Sequence, residues 1–460
     1  MQHNKTTSPT RSVSTFLASL LLIAACSGGG SASSSTTVET ASQQAAAASV
    51  NKQLEVPQSL AGAAPFDQPR TLTVPPGFGI RLWARLAKAR FMARAPNGDI
   101  LVSVPSEDKV VLLRERANNV PEQFDFATGL RKPHDMVFQK IGDTTYLYIA
   151  ETHRITRSVY QPGSTTTGER QVVVDNLPDS STAELQGSYG HELKNMAFGA
   201  DGKLYLSIAS SCNACTTDDS ATPVRGAIHQ YNADGSNPRL FARGIRNAEG
   251  LDFIPGTNTL WVAVNNRDDI SFPLDVDFDG DGVSDLGKQV PRYTDDNPPE
   301  LFTSVRDGGN YGWPFCNATP NPTMSNLDVL RDYDNNRDGA RLDCAAVARS
   351  SNGIQAHSAP LGFSFLHASN VPAPYRKGAV VALHGCWNCT TLKAGYKVVY
   401  FPFDDAGNAG AEINLVTGFV TDPVARAFWG RPVDAIADAN GNILISDDYA
   451  GAIYQLYRTQ

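Results

Sequence analysis

The strongest constraint on the fold is a hairpin pattern that recurs six times along the chain. Each copy contains a polar residue, an apolar strand-like run, a turn and a second β-rich run, with almost no helical periodicity between copies. One hairpin cannot bury both of its faces, whereas a closed ring of sheets can. The pattern predicts an all-β, six-bladed β-propeller with a long insertion between the fourth and fifth repeats. The copies begin at Ala89, Lys132, Gly190, Ile245, His357 and Gly430.

The residues that open the repeats form the first candidate site. The first strand of each propeller blade lines the central channel, so its starting residue lies near one mouth. Singly, such an arginine often caps carbonyls and such a histidine is often structural. On a chain of net charge −8, however, six equivalent positions of this kind predict a bound anion, because the cations would otherwise repel one another. The positions are Arg90, His134, His191, Arg246 with Asn247, His357 and Arg431.

A second pattern predicts a metal loop in the insertion. The stretch "DVDFDGDGVSD" places Asp277, Asp279, Asp281 and Asp285 at the first, third, fifth and ninth positions, with glycines at the fourth and sixth. This is the spacing of a calcium loop, although Lys288 stands where an EF-hand has its bidentate glutamate. We expect a structural Ca²⁺ that pins the insertion; the alternative is an acidic loop without a ligand.

The cysteine pattern favours disulfides. Apart from Cys26 the count is even, which in an exported chain indicates pairing, and neither CxxC is followed by the His of a c-type haem site. A four-cysteine zinc site is the alternative. The expected pairs are two local rings and one bridge across the insertion: Cys212 with Cys215, Cys386 with Cys389, and Cys316 with Cys344.

The N-terminus predicts an exported and anchored protein. Lys5 and Arg11 precede an apolar run that is too short to span a bilayer and that ends at a lipobox-like Cys26. We expect a lipoprotein signal peptide at 1–25, a flexible Ser/Ala-rich tether at 26–64 and the propeller at 65–460. These features predict a periplasm-facing bacterial lipoprotein, anchored to the outer membrane through a lipid on Cys26.

Composition and missing motifs exclude several function classes. An acidic chain is a poor partner for nucleic acid. The chain has no GxGxxG and no alternation of strands with helices, which argues against a nicotinamide enzyme. It also lacks the nucleophile elbow of serine hydrolases.

Several motifs, in their order along the chain, resemble the glucose/sorbosone dehydrogenase family, and within it the sorbosone or pyranose dehydrogenase branch. They are "GHELKNMAFGADGKLYLSIASSCNAC", "GIRNAEGLDFIPGTNTLWVAVNNRDDI", "RDGGNYGWPFC", "HSAPLGF", "HGCWN" and "GRPVDAIADANGNILISDD". The resemblance implies a six-bladed propeller that carries pyrroloquinoline quinone (PQQ) and Ca²⁺. It further implies a quinoprotein that oxidises a sugar or sugar-derived aldehyde by hydride transfer to the quinone. Because no haem motif is present, electrons would leave to a separate acceptor, a cytochrome or a quinone.

The resemblance also implies roles for individual residues. His191 matches the general base, but relatives offer an orienting Asp where this chain reads Ser210-Ser211-Cys212, and Glu192 would point to the opposite face of a strand. The calcium loop of the family matches "NNRDD", which implies backbone oxygens of Asn266 and Arg267 and a side chain of Asp268 or Asp269. The implied cofactor-binding residues, whose three carboxylate partners would come from the quinone, are Arg90, His134, Arg246, Asn247, His357, His384, Trp387 and Arg431. For Trp387, the alternative is packing on the neighbouring cysteine ring.

Two other functions remain open from the sequence. One is a calcium-dependent propeller hydrolase of the lactonase type, for which carboxylates and Asn around a central metal are expected. The other is a binding propeller without catalysis. The ring of basic residues favours the quinone enzyme over both.

Overall fold

The computed structural model describes residues 49–116, 119–367, 370–386 and 389–459. Its six main sheets are blades of four antiparallel strands, to one of which, blade 3, the short strand β19 (Gly309–Asn310) adds a parallel fifth strand. The innermost strands of consecutive blades contact one another around a closed ring. The predicted six-bladed β-propeller is therefore confirmed, and each predicted hairpin supplies the first two strands of one blade.

The strands follow in chain order. The N-terminal strands are β1 (Val50–Gln53), β2 (Thr71–Val74) and β3 (Phe78–Arg85). Blade 1 contains β4 (Met92–Arg94), β5 (Ile100–Val104), β6 (Lys109–Arg116) and β7 (Asn119–Ala127). Blade 2 contains β8 (Met136–Ile141), β9 (Thr144–Ala150), β10 (Ile155–Val159) and β11 (Gln171–Val174). Blade 3 contains β12 (Asn195–Phe198), β13 (Leu204–Ile208), β14 (Ala227–Tyr231) and β15 (Arg239–Arg243).

Blade 4 contains β16 (Asn247–Phe253), β17 (Leu260–Asn265), β18 (Glu300–Val305) and, after the short strands β19 (Gly309–Asn310), β20 (Cys316–Thr319) and β21 (Asp328–Arg331), the outermost strand β22 (Asn352–Ile354). Blade 5 contains β23 (Pro360–Phe365), β24 (Gly378–Leu383), β25 (Lys397–Pro402) and β26 (Ile413–Val416). A small hairpin follows, made of β27 (Val420–Asp422) and β28 (Ala427–Phe428). Blade 6 contains β29 (Pro432–Ala437), β30 (Ile443–Asp447) and β31 (Ala452–Arg458).

Helices are few and short. The two α-helical turns are α1 (Pro291–Thr294) and α2 (Tyr333–Asn336), and both lie in the insertion. The 3₁₀ turns are Gln58–Leu60, Pro105–Glu107, Ala183–Leu185, Thr216–Ser220 and Ala373–Tyr375. No helix in the described ranges is both long and apolar enough to cross a membrane.

The apolar core lies between neighbouring blades. Second strands such as β5 and β24 are buried along their whole length, because each blade is covered on both faces by its neighbours. Clusters of apolar side chains therefore join one blade to the next rather than filling a single centre. This packing leaves the channel ends, where the loops meet, as the places for polar chemistry.

The N-terminal chain closes the ring. Strand β3 pairs antiparallel with β31 from Phe78 opposite Arg458 to Arg85 opposite Ala452, and so becomes the fourth strand of blade 6. Strand β1 pairs with β2, and Leu54 between them is buried. The predicted tether at 26–64 thus includes a paired strand: the chain is held on the propeller from about residue 50 by the pairing of β1 with β2 and by the burial of Leu54. The predicted signal at 1–25 and Cys26 lie outside the described residues.

The insertion lies where the sequence predicted it, between the fourth and fifth hairpins. It spans the loops around β18 and provides the outer part of blade 4. All three expected cysteine pairs are disulfides, and Cys316–Cys344 bridges this insertion. The alternative of a four-cysteine zinc site is therefore wrong.

Candidate active site

A cavity of about 150 Å³ lies at one channel mouth, where loops of blades 3, 4 and 5 meet. Residues before the first strands and after the second strands turn inward here, because the strands themselves are occupied by packing between blades. The structure brings six of the predicted site residues to its wall: His191, Arg246, Asn247, Asn266, Asp268 and His357.

His191 is held by the backbone of the neighbouring loop. Its Nδ1 lies 2.9 Å from the carbonyl oxygen of Ser210 and 3.0 Å from the hydroxyl of the same residue. A carbonyl only accepts hydrogen bonds, so Nδ1 carries the proton and Nε2 keeps a lone pair. Burial and the charge of Arg246 lower the pKa of His191 to about 4, which keeps the ring neutral near pH 7. His191 is thus built as a proton acceptor at Nε2.

The orienting partner left open by the sequence is therefore Ser210, a residue without charge. Glu192 does not take that role, since its carboxylate accepts hydrogen bonds from Lys132 and from the backbone of Ser180 instead. No sequence signal distinguishes a carbonyl partner, because every residue has one.

Arg246 is buried against the loop that follows β13. Its Nε donates to the carbonyl of Asn213 at 3.0 Å and its Nη2 to the side-chain oxygen of the same residue at 3.0 Å. Its Nη1 donates to the carbonyl of Asn265 at 3.2 Å, and Nη2 lies 3.8 Å from the Asp268 carboxylate. The guanidinium is thus locked in position with a partly compensated charge.

His357 forms the cationic wall opposite. Its Nδ1 lies 3.1 Å from Asp268 Oδ1, and its Nε2 lies 2.7 Å from the carbonyl of Thr294. Burial alone would lower its pKa, but these two hydrogen bonds raise the pKa of His357 to about 9. The imidazole is therefore protonated near neutral pH, and both of its nitrogens donate.

Oxygen atoms cluster on the same wall, including two residues that the sequence analysis did not single out. Glu300 is buried, and accepts the backbone N–H groups of Asn266 at 2.5 Å and Ala359 at 3.2 Å. Burial, with the nearby charge of Asp268, raises the pKa of Glu300 to about 7. Asn265 Oδ1 is buried and has no hydrogen-bond partner among the described residues. A polar residue at the start of β18 and the first Asn of "NNRDD" were the only signals that could have found them.

This donor set fits a hard divalent cation. Ca²⁺ prefers carboxylate and amide oxygens, and Asn265, whose side-chain oxygen is orphaned, lines the same cavity as Asp268 and Glu300. Of the four residues predicted around the calcium, Asn266 and Asp268 line the cavity. Arg267 and Asp269 do not: Asp269 is exposed at a positive φ of 53°, and the Arg267 guanidinium binds Asp332 and Asp334 of the insertion. The backbone-oxygen roles predicted for Asn266 and Arg267, and the calcium ion itself, stay predictions.

A second polar cluster stands on the blade 6 side of the channel. Arg90 Nη1 and His384 Nε2 both donate to Asp448, at 2.8 Å and 2.9 Å, and these bonds hold the pKa of the Asp448 carboxyl well below its usual range although burial opposes it. Arg431 donates to the carbonyls of His384 at 3.0 Å and Gly385 at 2.8 Å. Arg90, His384 and Arg431 are therefore already engaged with protein groups and lie outside the cavity wall.

The last two predicted cofactor residues differ in status. His134 is fully buried and does not belong to the cavity wall. Its ring packs on Phe91, with the two ring centroids 4.2 Å apart. Its Nε2 accepts from Arg90 Nε at 3.4 Å. Trp387 lies outside the described residues.

The acidic loop of the insertion is formed as the spacing predicted. Carboxylate oxygens of Asp277, Asp279 and Asp285 lie within 4.8 Å of one another, whereas Asp281 does not join the group. Lys288 Nζ also donates to Asp285 at 3.0 Å, so part of the negative charge is balanced by the chain itself. A calcium ion in this loop stays a prediction.

Fold and site together define a six-bladed propeller with an imidazole base, two cationic side chains and a set of oxygen ligands at one channel mouth. Residues 72–459 match the model of the TrAA12-like family, and the chain belongs to that family. The resemblance drawn from the sequence is thereby confirmed, and with it the expectation that this chain is a member of an enzyme family.

Individual relatives are distant. An uncharacterised protein of Borreliella burgdorferi is 23% identical over 398 residues, which cover 84% of this chain and 91% of that protein. The calcium structure of a Trichoderma reesei carbohydrate-active enzyme of family AA12 is 20% identical, with a TM-score of 0.69 and coverage of 84% and 97%. The holo form of the pyranose dehydrogenase PQQ domain from Coprinopsis cinerea is 18% identical, with a TM-score of 0.70 and coverage of 88% and 100%. These two structures have the same fold as this chain.

Proposed function

We propose that this protein is a quinoprotein oxidoreductase that oxidises a sugar or a sugar-derived aldehyde, with PQQ and Ca²⁺ as cofactors. The observation that carries the proposal is the neutral His191, whose Nε2 faces a cavity that also holds buried cations and a calcium-type oxygen set. Membership of the TrAA12-like family supports it, as do the calcium and the PQQ named for the two fungal structures.

The residues divide the work by charge. Arg246 would hold a carboxylate of the quinone, and the protonated His357, whose two N–H groups are taken by Asp268 and Thr294, would add positive charge to the wall. Asn265, Asp268 and Glu300 would hold the calcium. When bound, the quinone supplies the acceptor for hydride. His191 takes the proton from the substrate hydroxyl at Nε2, and its Nδ1–H bond to the carbonyl of Ser210 keeps the ring aimed while it does so.

Burial of this cavity also matters for the chemistry. Residues such as Arg246, Asn247 and Glu300 are buried in its wall, and burial strengthens each charge interaction there. Because the chain lacks a c-type haem motif, we propose that electrons pass to a separate acceptor, a cytochrome or a quinone.

The test is reconstitution. Purified protein is titrated with PQQ and Ca²⁺ while the absorption spectrum is recorded, and dye reduction is then followed with a panel of aldoses and aldehydes. We expect stoichiometric uptake and sugar-dependent reduction that falls at least about 10³-fold in His191→Gln. His229→Gln, on β14 and outside the cavity wall, is the matched control. No uptake at micromolar PQQ would refute the proposal.

A calcium-dependent hydrolase is the second candidate, because Asn265, Asp268 and Glu300 line one cavity. It requires no quinone. Hydrolysis of lactones with Ca²⁺ alone, lost in His191→Gln, would favour it over the dehydrogenase.

We also propose that the protein is exported and anchored through a lipid on Cys26. The apolar run before Cys26 and the small residues around it support this. Metabolic labelling with a fatty acid tests it: the label should enter the wild-type protein and be absent from Cys26→Ala.

A further inference from the structure

The loop that follows β13 in blade 3 contains a four-residue disulfide ring, whose Asn213 bonds to two residues of the cavity wall. Cys212 and Cys215 are joined, and Asn213 lies between them, three residues after the Ser210 that orients His191. A disulfide over so short a stretch allows few backbone conformations, so it fixes where the carbonyl and side chain of Asn213 point.

Asn213 bonds to both halves of the candidate site. Its backbone carbonyl accepts from Arg246 Nε, and its side-chain oxygen accepts from Arg246 Nη2 at 3.0 Å and from the backbone N–H of Asp268 at 2.8 Å. Its side-chain nitrogen donates to the carbonyl of Asp268 at 2.8 Å. One residue therefore ties the buried cation to the loop that presents the oxygen ligands.

The ring is itself anchored from outside blade 3. Trp313 Nε1 donates to the Asn213 carbonyl at 3.1 Å, and Asn335 Nδ2 donates to the Ala214 carbonyl at 3.3 Å. Trp313 lies in the "GNYGWPFC" segment and Asn335 in α2, so two parts of the insertion converge on the ring. This gives those segments a role that the sequence motifs alone did not explain.

We propose that Asn213, held by the Cys212–Cys215 ring, is the positioning residue that fixes Arg246 and the Asp268 loop in the geometry that binds the cofactors. This deepens the proposed function and rests on it only for the identity of the ligands. Asn213 contacts Arg246 and Asp268 and has no bond to His191, so it acts on affinity rather than on the chemical step.

The test compares Asn213→Ala with Asn258→Ala, which removes an exposed amide whose oxygen accepts one backbone hydrogen bond from Asp201 far from the cavity wall. The first measurement is hydrogen–deuterium exchange of the cofactor-free protein over residues 262–270. In Asn213→Ala we expect the amide of Asp268 to exchange about tenfold faster or more, because it loses its acceptor. Asn258→Ala should exchange there as the wild type does.

The second measurement is binding by calorimetry, with Ca²⁺ alone and with PQQ in the presence of Ca²⁺. We expect dissociation constants about tenfold higher in Asn213→Ala, and kcat at saturating cofactor within about twofold of the wild type. The double variant Cys212→Ser/Cys215→Ser keeps the Asn213 side chain but frees the ring. It should show the same changes together with loss of protection of the Trp313 indole N–H in an NMR spectrum.

Unchanged exchange over 262–270 would overturn the inference, as would a large fall in kcat with unchanged affinities, since Asn213 would then act on the reacting groups. If the wild type bound no PQQ, the proposed function would fail. The positioning role would then be decided by the exchange measurement and, where Ca²⁺ binds, by its affinity.

Discussion

A histidine that serves as a base is usually oriented by a carboxylate, and that arrangement raises its pKa. Here Ser210 orients His191 through a carbonyl, which fixes the tautomer without adding negative charge. Burial and Arg246 then lower the pKa to about 4, so the base is weak but always available near neutral pH. Because Ser210 adds no negative charge, its hydrogen bond offsets the lowering of the His191 pKa less than a carboxylate would.

The pH profile of kcat/KM tests this reading. In the proposed reaction the neutral form of His191 is the active one, so activity is lost only as pH falls through the lowered pKa. We expect a plateau from about pH 5.5 to 7.5 and an acid limb near pH 4 to 5 rather than near 6.5. Ser210→Ala keeps the carbonyl and should keep the limb. An acid limb at pH 6.5 in the wild type would contradict the assignment.

His191, Arg246 and His357 could be predicted because the repeat itself marks their positions, although Arg90 and Arg431, marked in the same way, lie outside the cavity wall. Glu300 and Asn213 were missed. Glu300 reaches the cavity from the start of β18, and Asn213 bonds to Arg246 from a cysteine ring, where no period applies. Contacts between distant loops are decided by packing rather than by local pattern.

At the scale of elements, the insertion acts as a brace for the site. Its Asp332 caps α2, accepting N–H groups of Asp334 and Asn335, and also pairs with Arg267 from the loop beside the cavity. The Arg267 side chain is a structural anchor between the two loops, while the predicted role of its backbone oxygen at a calcium ion stays a prediction. The insertion therefore supports the cavity wall through the ion pair between Asp332 and Arg267.

Gly226 tests one contact of this brace. A Cβ at this position would lie 2.6 Å from the Trp313 ring, at a φ of +64°. Gly129 has a φ of +65° and open space around it, so Gly129→Ala controls for the backbone strain. We expect Gly226→Ala to lower the free energy of unfolding by about 1–3 kcal/mol more than Gly129→Ala, measured by chemical denaturation. Equal losses in the two variants would show that Trp313 adjusts without cost.

The acidic loop of the insertion predicts a dependence of stability on calcium. If Asp277, Asp279 and Asp285 bind Ca²⁺, chelation should lower Tm by several degrees in the wild type. Asp279→Asn should lower the starting Tm and reduce the part of the effect that arises here, leaving the part from the cavity. A chelation effect of the same size in both proteins would assign all of it to the cavity.

Across the whole molecule, three aspartates join the blades in pairs. Asp135 of blade 2 accepts N–H groups of Met136 and of Met196 in blade 3. Asp252 of blade 4 reaches Phe365 in blade 5, and Asp434 of blade 6 reaches Met92 in blade 1. All three face a cavity of about 240 Å³ within the channel. Hydrogen bonds of one kind, from a backbone N–H of one blade to an Asp carboxylate of a neighbouring blade, thus join the six blades in three pairs.

The three carboxyl groups make the free energy of unfolding depend on pH. Burial raises the pKa values of Asp135, Asp434 and Asp252 to about 8, 7 and 6, above the unfolded value near 4. A raised folded pKa adds stability that is complete at low pH and is lost as pH rises through it. We therefore expect the Tm difference between wild type and Asp135→Asn to shrink from pH 5 to pH 8.5, measured by scanning calorimetry. The exposed Asp404→Asn should show no such trend, and a difference that grew with pH would contradict the burial argument.

The fold was predictable because each hairpin repeats the same local pattern, from "ARFMARAPNGDILVSVP" to "GRPVDAIADANGNILISDD". The closure of the ring was not. Pairing of β3 with β31 joins residues at opposite ends of the chain, and nothing local in "FGIRLWAR" specifies that partner. Residues 50–53 were assigned to a tether for the same reason, because their strand exists only through its pairing with β2.

This closure also fixes an order in time. During synthesis β3 emerges early, whereas its partner β31 is among the last segments made. The apolar strand β3 therefore stays unpaired until the chain is nearly complete. Blades 1 to 5 each take their four main strands from one stretch of the chain. Blade 6 takes its fourth strand, β3, from near the N-terminus. A chain that stopped short of residue 452 would lack β31 and would therefore leave β30 and β3 with unpaired edges. Synthesis of β31 thus completes blade 6 and closes the ring of six sheets.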